Sequence, residues 1–134
     1  MTGESGRQLR TVTVRTSFPQ MSHGTLWKQI GRFDDLAWSG DDPWAFEGKL
    51  RTLSQHGLKE ELVSSHEYTY TYRMLEGPFK NFEVTLSAEA GEGGSVAVYS
   101  ATGELDEEQQ GMVREGAIEA FEGLAQKLAQ AAAA

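Results

Sequence analysis

Hydrophobic and polar positions alternate with a period of two through most of this chain and switch to a helical period in only a few stretches. Residues 9–18 set Val12 and Val14 between Thr and Arg, the pattern of a half-buried strand, which Pro19 is expected to stop. Ser22 is the predicted N-cap of a helix over 25–33, with Leu26, Trp27 and Ile30 on one stripe and Gly31 at its end. A second short helical turn is expected over 34–38, followed by a turn at Ser-Gly-Asp-Asp-Pro, 39–43. Segments 44–53, 58–64, 67–75, 81–88 and 95–105 then read as five strands. The connections between them, around 55–57, 65–66, 77–78 and 91–94, are so short that neighbouring strands must be antiparallel. In the last third Asp106 is the predicted N-cap of a long helix reaching about residue 129, and Glu107 and Glu108 suit the positive end of its dipole. Met112, Val113, Ala117, Ala120, Phe121, Leu124 and Leu128 form its apolar stripe.

This order predicts an α+β fold with the helices kept to one face of a curved antiparallel sheet of about six or seven strands. A single long helix leaves part of the concave side unfilled, so an internal cavity is expected, of the kind that holds apolar or amphipathic small molecules. One strand stands out in this arrangement. Alternation over 67–75 puts Tyr68, Tyr70, Tyr72 and Met74 on one face, whereas a purely structural core favours Val, Ile, Leu or Phe. Each buried phenol needs a hydrogen-bond partner or carries a desolvation cost of roughly 1–3 kcal/mol. The tyrosines therefore either pack amphipathically with their hydroxyls reaching water, or line a site that meets something polar.

Composition narrows the picture. A chain of 134 residues is expected to fold as one domain over 1–134, with loose ends at 1–7 and 131–134, and to bury about two-thirds of its unfolded surface. It has no cysteine, which excludes disulfides, thiolate metal ligands and cysteine nucleophiles. The net charge of −8 and the scatter of the few Lys and Arg argue against nucleic acid as a partner. No apolar run is long enough for a membrane span, no secretory leader is expected, and the absence of cysteine is consistent with a cytoplasmic location. Spacing supports no metal site, and no cofactor is implied. The glycines at 91–94 belong to a hairpin and not to a phosphate loop, because no Lys-Ser/Thr follows and the next element is a strand.

Several short motifs occur in a particular order. Leu26-Trp27-Lys-Gln-Ile-Gly-Arg-Phe33-Asp-Asp-Leu36-Ala-Trp38 is followed by Gly48-Lys-Leu-Arg51-Thr-Leu53 and Glu60-Glu61-Leu62, then Thr71-Tyr72-Arg-Met74-Leu-Glu-Gly77-Pro78 and the long helix. In this the chain resembles the START-like superfamily, also called helix-grip or SRPBCC, and within it the polyketide cyclase/dehydrase-like proteins. The resemblance spans nearly the whole chain and implies a helix-grip (Bet v 1-like) fold, but relatives include cyclases, dehydratases, receptors and lipid carriers, so it does not specify an activity. The stretch from Trp38 to Gly48 is shorter than the superfamily pattern, which implies that one strand there is short or missing.

With the superfamily's register as guide, Arg51 is expected near the pocket, and Glu60 in preference to Glu61 is expected to face inward. The resemblance implies Arg51, Glu60, Tyr70 and Tyr72 as the candidate catalytic set and Trp27, Tyr68, Met74, Phe82, Val84, Phe121 and His56 as ligand-binding residues. Arg51 and Glu60 read either as a buried ion pair that sets strand register or as a working pair in which Arg51 holds an anion and Glu60 moves a proton. Among the histidines, His23 precedes the first helix, His56 sits in a tight loop and His66 at a turn, so none is well placed as a base; His56 is the exception, because its loop closes over the cavity mouth in the superfamily. Three functions follow as expectations: a pocket that cyclises or dehydrates a polyketide-like or aromatic compound, a non-catalytic carrier or sensor of an apolar ligand, or a protein that regulates a partner. A homodimer is compatible with each.

Overall fold

A computed structural model describes residues 7–40 and 42–133. Expectations for the opening segment before Arg7, for the final Ala134 and for Asp41 within the 39–43 turn lie outside the described residues. The elements run β1 (Gln8–Pro19), α1 (His23–Ile30), a 3-10 turn (Ala37–Ser39), β2 (Ala45–Glu47), β3 (Leu50–Leu53) and a second 3-10 turn (Ser54–His56). Then follow β4 (Leu58–His66), β5 (Thr69–Glu76), β6 (Lys80–Gly91), β7 (Gly94–Leu105) and α2 (Glu107–Ala133). All seven strands form one antiparallel sheet in the order β1-β7-β6-β5-β4-β3-β2. Every strand is next to its neighbour in sequence except β1, which pairs with β7 along its full length and so ties the start of the sheet to its end.

The helix caps follow the sequence. Ser22 Oγ accepts from the Thr25 backbone N–H and opens α1, two residues ahead of the predicted start, and the Gly31 N–H closes α1 on the Trp27 carbonyl. Asp106 and Gln109 form a reciprocal capping box at α2: Asp106 Oδ1 accepts from the Gln109 N–H at 2.7 Å, and Gln109 Oε1 accepts from the Asp106 N–H at 3.0 Å. Val113, Ala117, Phe121 and Leu124 of α2 are buried against β1 and β7, and Leu26 and Ile30 anchor α1 on β6 and β7. The same core takes Val12, Val14 and Phe18 from β1, Phe82, Val84, Leu86 and Ala88 from β6, and Ala97, Ala101 and Leu105 from β7.

Three sequence expectations are corrected. Segment 44–53 is not one strand but the short hairpin β2–β3, because Gly48 turns the chain at φ 60, a conformation glycine adopts without a Cβ penalty. The strand in doubt is thus short, three residues long, and present. The short helical turn lies at 37–39 instead of over 34–38. The turn after β4 falls at Glu67–Tyr68, with Tyr68 itself at φ 64, instead of at 65–66.

The sheet curves by local irregularity. The β4–β5 register slips twice, leaving Val63 of β4 and Leu75 of β5 as extra residues, and both side chains are exposed. The β6–β7 register slips once more between Lys80 and Glu83, where Asn81 has φ 52. Bulges add twist and bend a strand, so these slips add to the curvature of the sheet.

Candidate functional site

Between the concave face of the sheet and α2 lies a cavity of about 410 Å³. Its floor is the row-by-row pairing of inward residues. Arg51 of β3 stands directly opposite Glu60 of β4, which stands opposite Met74 of β5. Tyr72 of β5 pairs with Val84 of β6, and Tyr70 pairs with Leu86, which in turn pairs with Tyr99 of β7. All of these border the cavity. The opposite wall is α2, where Gly116, Ala117 and Ala120 present little side-chain bulk beside Met112, Val113 and Phe121. Those small residues leave the space open where leucines would close it. Leu36, Trp38 and Trp44 from the segment between α1 and β2, with Pro78 and Phe79 before β6, complete the rim.

The polar end is organised around Arg51. Its Nε donates to Glu60 Oε1 at 2.6 Å, and its NH1 group donates to the Phe33 carbonyl at 3.1 Å. Both ion-pair side chains are almost wholly buried, at 3% and 9% exposure, so their attraction is screened little by water. The guanidinium carbon lies 4.2 Å from the centre of the Phe33 ring, 4.3 Å from that of Tyr72 and 5.4 Å from that of Trp44, so aromatic faces further offset the buried cation. Burial alone would lower the Arg51 pKa, but Tyr72, Glu60 and Tyr70 outweigh it and the group stays charged. Glu60 goes the other way: burial pushes its carboxyl above the ordinary glutamate value, and the neighbouring Arg51 offsets this only in part. Burial likewise raises Tyr70, Tyr72 and Tyr99, which therefore remain protonated phenols at neutral pH.

Of the residues singled out from sequence, Arg51, Glu60, Tyr70, Tyr72, Met74, Phe82, Val84 and Phe121 converge on this cavity, while Trp27, Tyr68 and His56 do not border it. Tyr68 leaves the alternating face because it occupies the turn at positive φ, where its ring packs edge-on against His23 at 4.4 Å. Trp27 lies over Gly31, so close that a Cβ there would meet the indole at 2.3 Å, and it packs against the buried ring of Tyr70. His56 is an exposed residue of the 3-10 turn before β4. Glu61 points away from Glu60 and pairs with Arg73 on the outer face. No histidine borders the cavity, and among the described residues no group of three His, Asp or Glu side chains is placed to hold a metal ion.

Sequence reasoning missed Tyr99. Val98, Ser100 and Thr102 form the outer face of β7, where Thr102 hydrogen-bonds Thr11 of β1. The signal was present in the complementary set Ala97, Tyr99, Ala101, Gly103 and Leu105, which faces the core.

No family model matches the chain, and no curated protein matches it in sequence. Solved structures do match. An uncharacterized protein from Bacillus thuringiensis superposes with a TM-score of 0.72 at 20% identity, covering 90% of this chain and 98% of its own. CalU16 from Micromonospora echinospora gives 0.71 at 13% identity, covering 90% and 81%. Norcoclaurine synthase from Thalictrum flavum, in complex with dopamine and hydroxybenzaldehyde, gives 0.62 at 13% identity, covering 95% and 90%. The fold is the helix grip. Identities this low establish the fold and leave the activity to be argued from the site. In this helix grip the site is an apolar chamber with one polar end, built from Arg51, Glu60 and three phenols.

Proposed function

We propose that this helix-grip protein binds a small aromatic or polyketide-like molecule in the cavity, ring or chain against α2 and polar end against the tyrosines, and that the site promotes cyclisation or dehydration of such a compound. The observation that carries the reading is a buried Arg51–Glu60 pair and three phenols set at one end of an otherwise apolar chamber of about 410 Å³. A core built only for stability has little use for five polar side chains on one wall. The chemistry they support is polarisation of a carbonyl by phenolic O–H groups, with Glu60, raised in pKa, as the group that takes and returns a proton. Most of the rate gain would come from holding a flexible substrate in one conformation.

A second reading, a non-catalytic carrier, is favoured by the absence of a histidine from the cavity wall, since no other side chain titrates unperturbed near neutral pH. Native mass spectrometry of the isolated protein beside Ala120→Phe tests the shared premise. The native chain is expected to retain or take up a small aromatic molecule, and the variant, with its cavity filled, to lose it while staying folded. Equal uptake by both, or none by either, would sink the proposal. Tyr70→Phe and Glu60→Gln then separate the two readings: an enzyme loses turnover far more than affinity, and a carrier loses only affinity.

A further inference from the structure

The charge pattern of the cavity wall points to a ligand class. Among the described residues Arg51 is the one cationic side chain that borders the cavity, and its charge is already matched by Glu60 at 2.6 Å. The other charged lining residue, Asp42, is exposed and negative. A carboxylate entering this chamber would shed its water, meet a cation already paired, and face an uncompensated negative charge at the rim. An ammonium group meets Asp42 only at the exposed, solvent-screened rim, and the buried carboxylate that would receive it is held by Arg51. What the wall offers instead is neutral hydrogen-bond donors: the phenols of Tyr70, Tyr72 and Tyr99, which burial keeps protonated. Trp38, also a lining residue, carries a buried indole N–H with no partner among the described residues. A wall rich in donors and without a free buried charge suits a ligand that brings neutral acceptors.

Resting on the reading of the cavity as a ligand site, we propose that it selects uncharged carbonyl-bearing aromatics over aromatic carboxylates and amines, and that Tyr99 on β7 is a specificity-determining residue that meets the carbonyl. Tyr99 occupies the same cross-sheet row as Tyr70, with Leu86 between them, and it interacts with Tyr72, so its hydroxyl belongs to the polar end although it comes from the opposite half of the sheet.

The test is a calorimetric titration of the full chain at neutral pH with naphthalene, acetylnaphthalene, naphthoate and naphthylmethylamine, which share one ring system and differ in polar group. Acetylnaphthalene is expected to bind at least about tenfold more tightly than either charged probe. Tyr99→Phe is expected to weaken acetylnaphthalene by about two- to tenfold, the worth of one hydrogen bond, and to leave naphthalene unchanged. Glu60→Gln frees the charge of Arg51 and is expected to raise the affinity for naphthoate. Tightest binding of naphthoate or the amine by the native chain would overturn the inference while leaving the cavity as a ligand site. So would an equal loss for acetylnaphthalene and naphthalene in Tyr99→Phe, a conservative change that removes one hydroxyl and keeps the ring. Binding of none of the four probes would remove the ligand-site reading itself and this inference with it.

Discussion

The two halves of the sheet are built to different rules. In β1, β6 and β7 the strands run to twelve residues each, and small or branched side chains such as Val12, Val84, Ala97 and Ala101 pack inward with almost no exposure. In β2 to β5 the strands are shorter, the register slips, and the inward positions hold Arg51, Glu60, Tyr70 and Tyr72. The first half resembles a core selected for close packing; the second gives up regularity to present polar groups to a cavity. Tyr99 is the polar exception that joins them, a cavity-lining phenol on a core strand.

The largest effects are expected where the site half is held together. Arg51→Ala leaves Glu60 buried without its partner and should cost about 3–5 kcal/mol in urea unfolding. The double change Arg51→Met with Glu60→Leu should recover all of that loss and abolish discrimination among polar ligands; failure to recover it would mean that the pair specifies the local fold and not only the site. In the core half Leu105→Ala should cost about 2–5 kcal/mol and leave ligand affinity unchanged. An affinity loss there would show that the two halves are energetically continuous. At the junction of β7 and α2, Asp106→Ala removes half of the capping box and should cost about 0.5–2 kcal/mol, read by the same unfolding assay.

Smaller effects sharpen the contrast. Because burial raises the Glu60 pKa in the folded state, the folded chain holds that proton more tightly than the unfolded one. Its contribution to stability is therefore complete below the ordinary value of 4.5 and is lost as pH rises through the raised folded value. A series of unfolding curves across that range should show a downward slope with rising pH that Glu60→Gln removes. The smallest expected effect is that of Tyr68→Phe, which should leave ligand affinity unaltered because Tyr68 stands in the β4–β5 turn against His23.

Much of this molecule was legible from residue order. Short connections allow only antiparallel neighbours, and caps such as Ser22 and Asp106 act through their own backbone neighbours, so strand sequence and helix starts could be read locally. Arg51 and Glu60 were expected to face inward from the resemblance, and a short connection between β3 and β4 sets them opposite each other. Tyr99 was not, since β7 is flanked by strands on both sides and carries apolar residues on both faces, Ala97 and Ala101 inward and Val96 and Val98 outward, so periodicity does not choose between them. Tyr68 was misplaced for the opposite reason: alternation is clear through 68–74, but Tyr68 adopts a positive φ that its residue type does not announce.

Local chemistry alone therefore accounts for the α+β layout, the caps and the inward row of Tyr70, Tyr72 and Met74, since each depends on residues a few positions apart. Which residues meet depends on contacts distant in sequence. Pairing of β1 with β7 curls the sheet around α2, register slips bend β4 and β5, and small residues on α2 leave the chamber open. Only then do Arg51, Glu60 and Tyr99 share one wall while Trp27 and His56 stay outside it, because a side chain's neighbours across a sheet are set by register and curvature and not by its own identity.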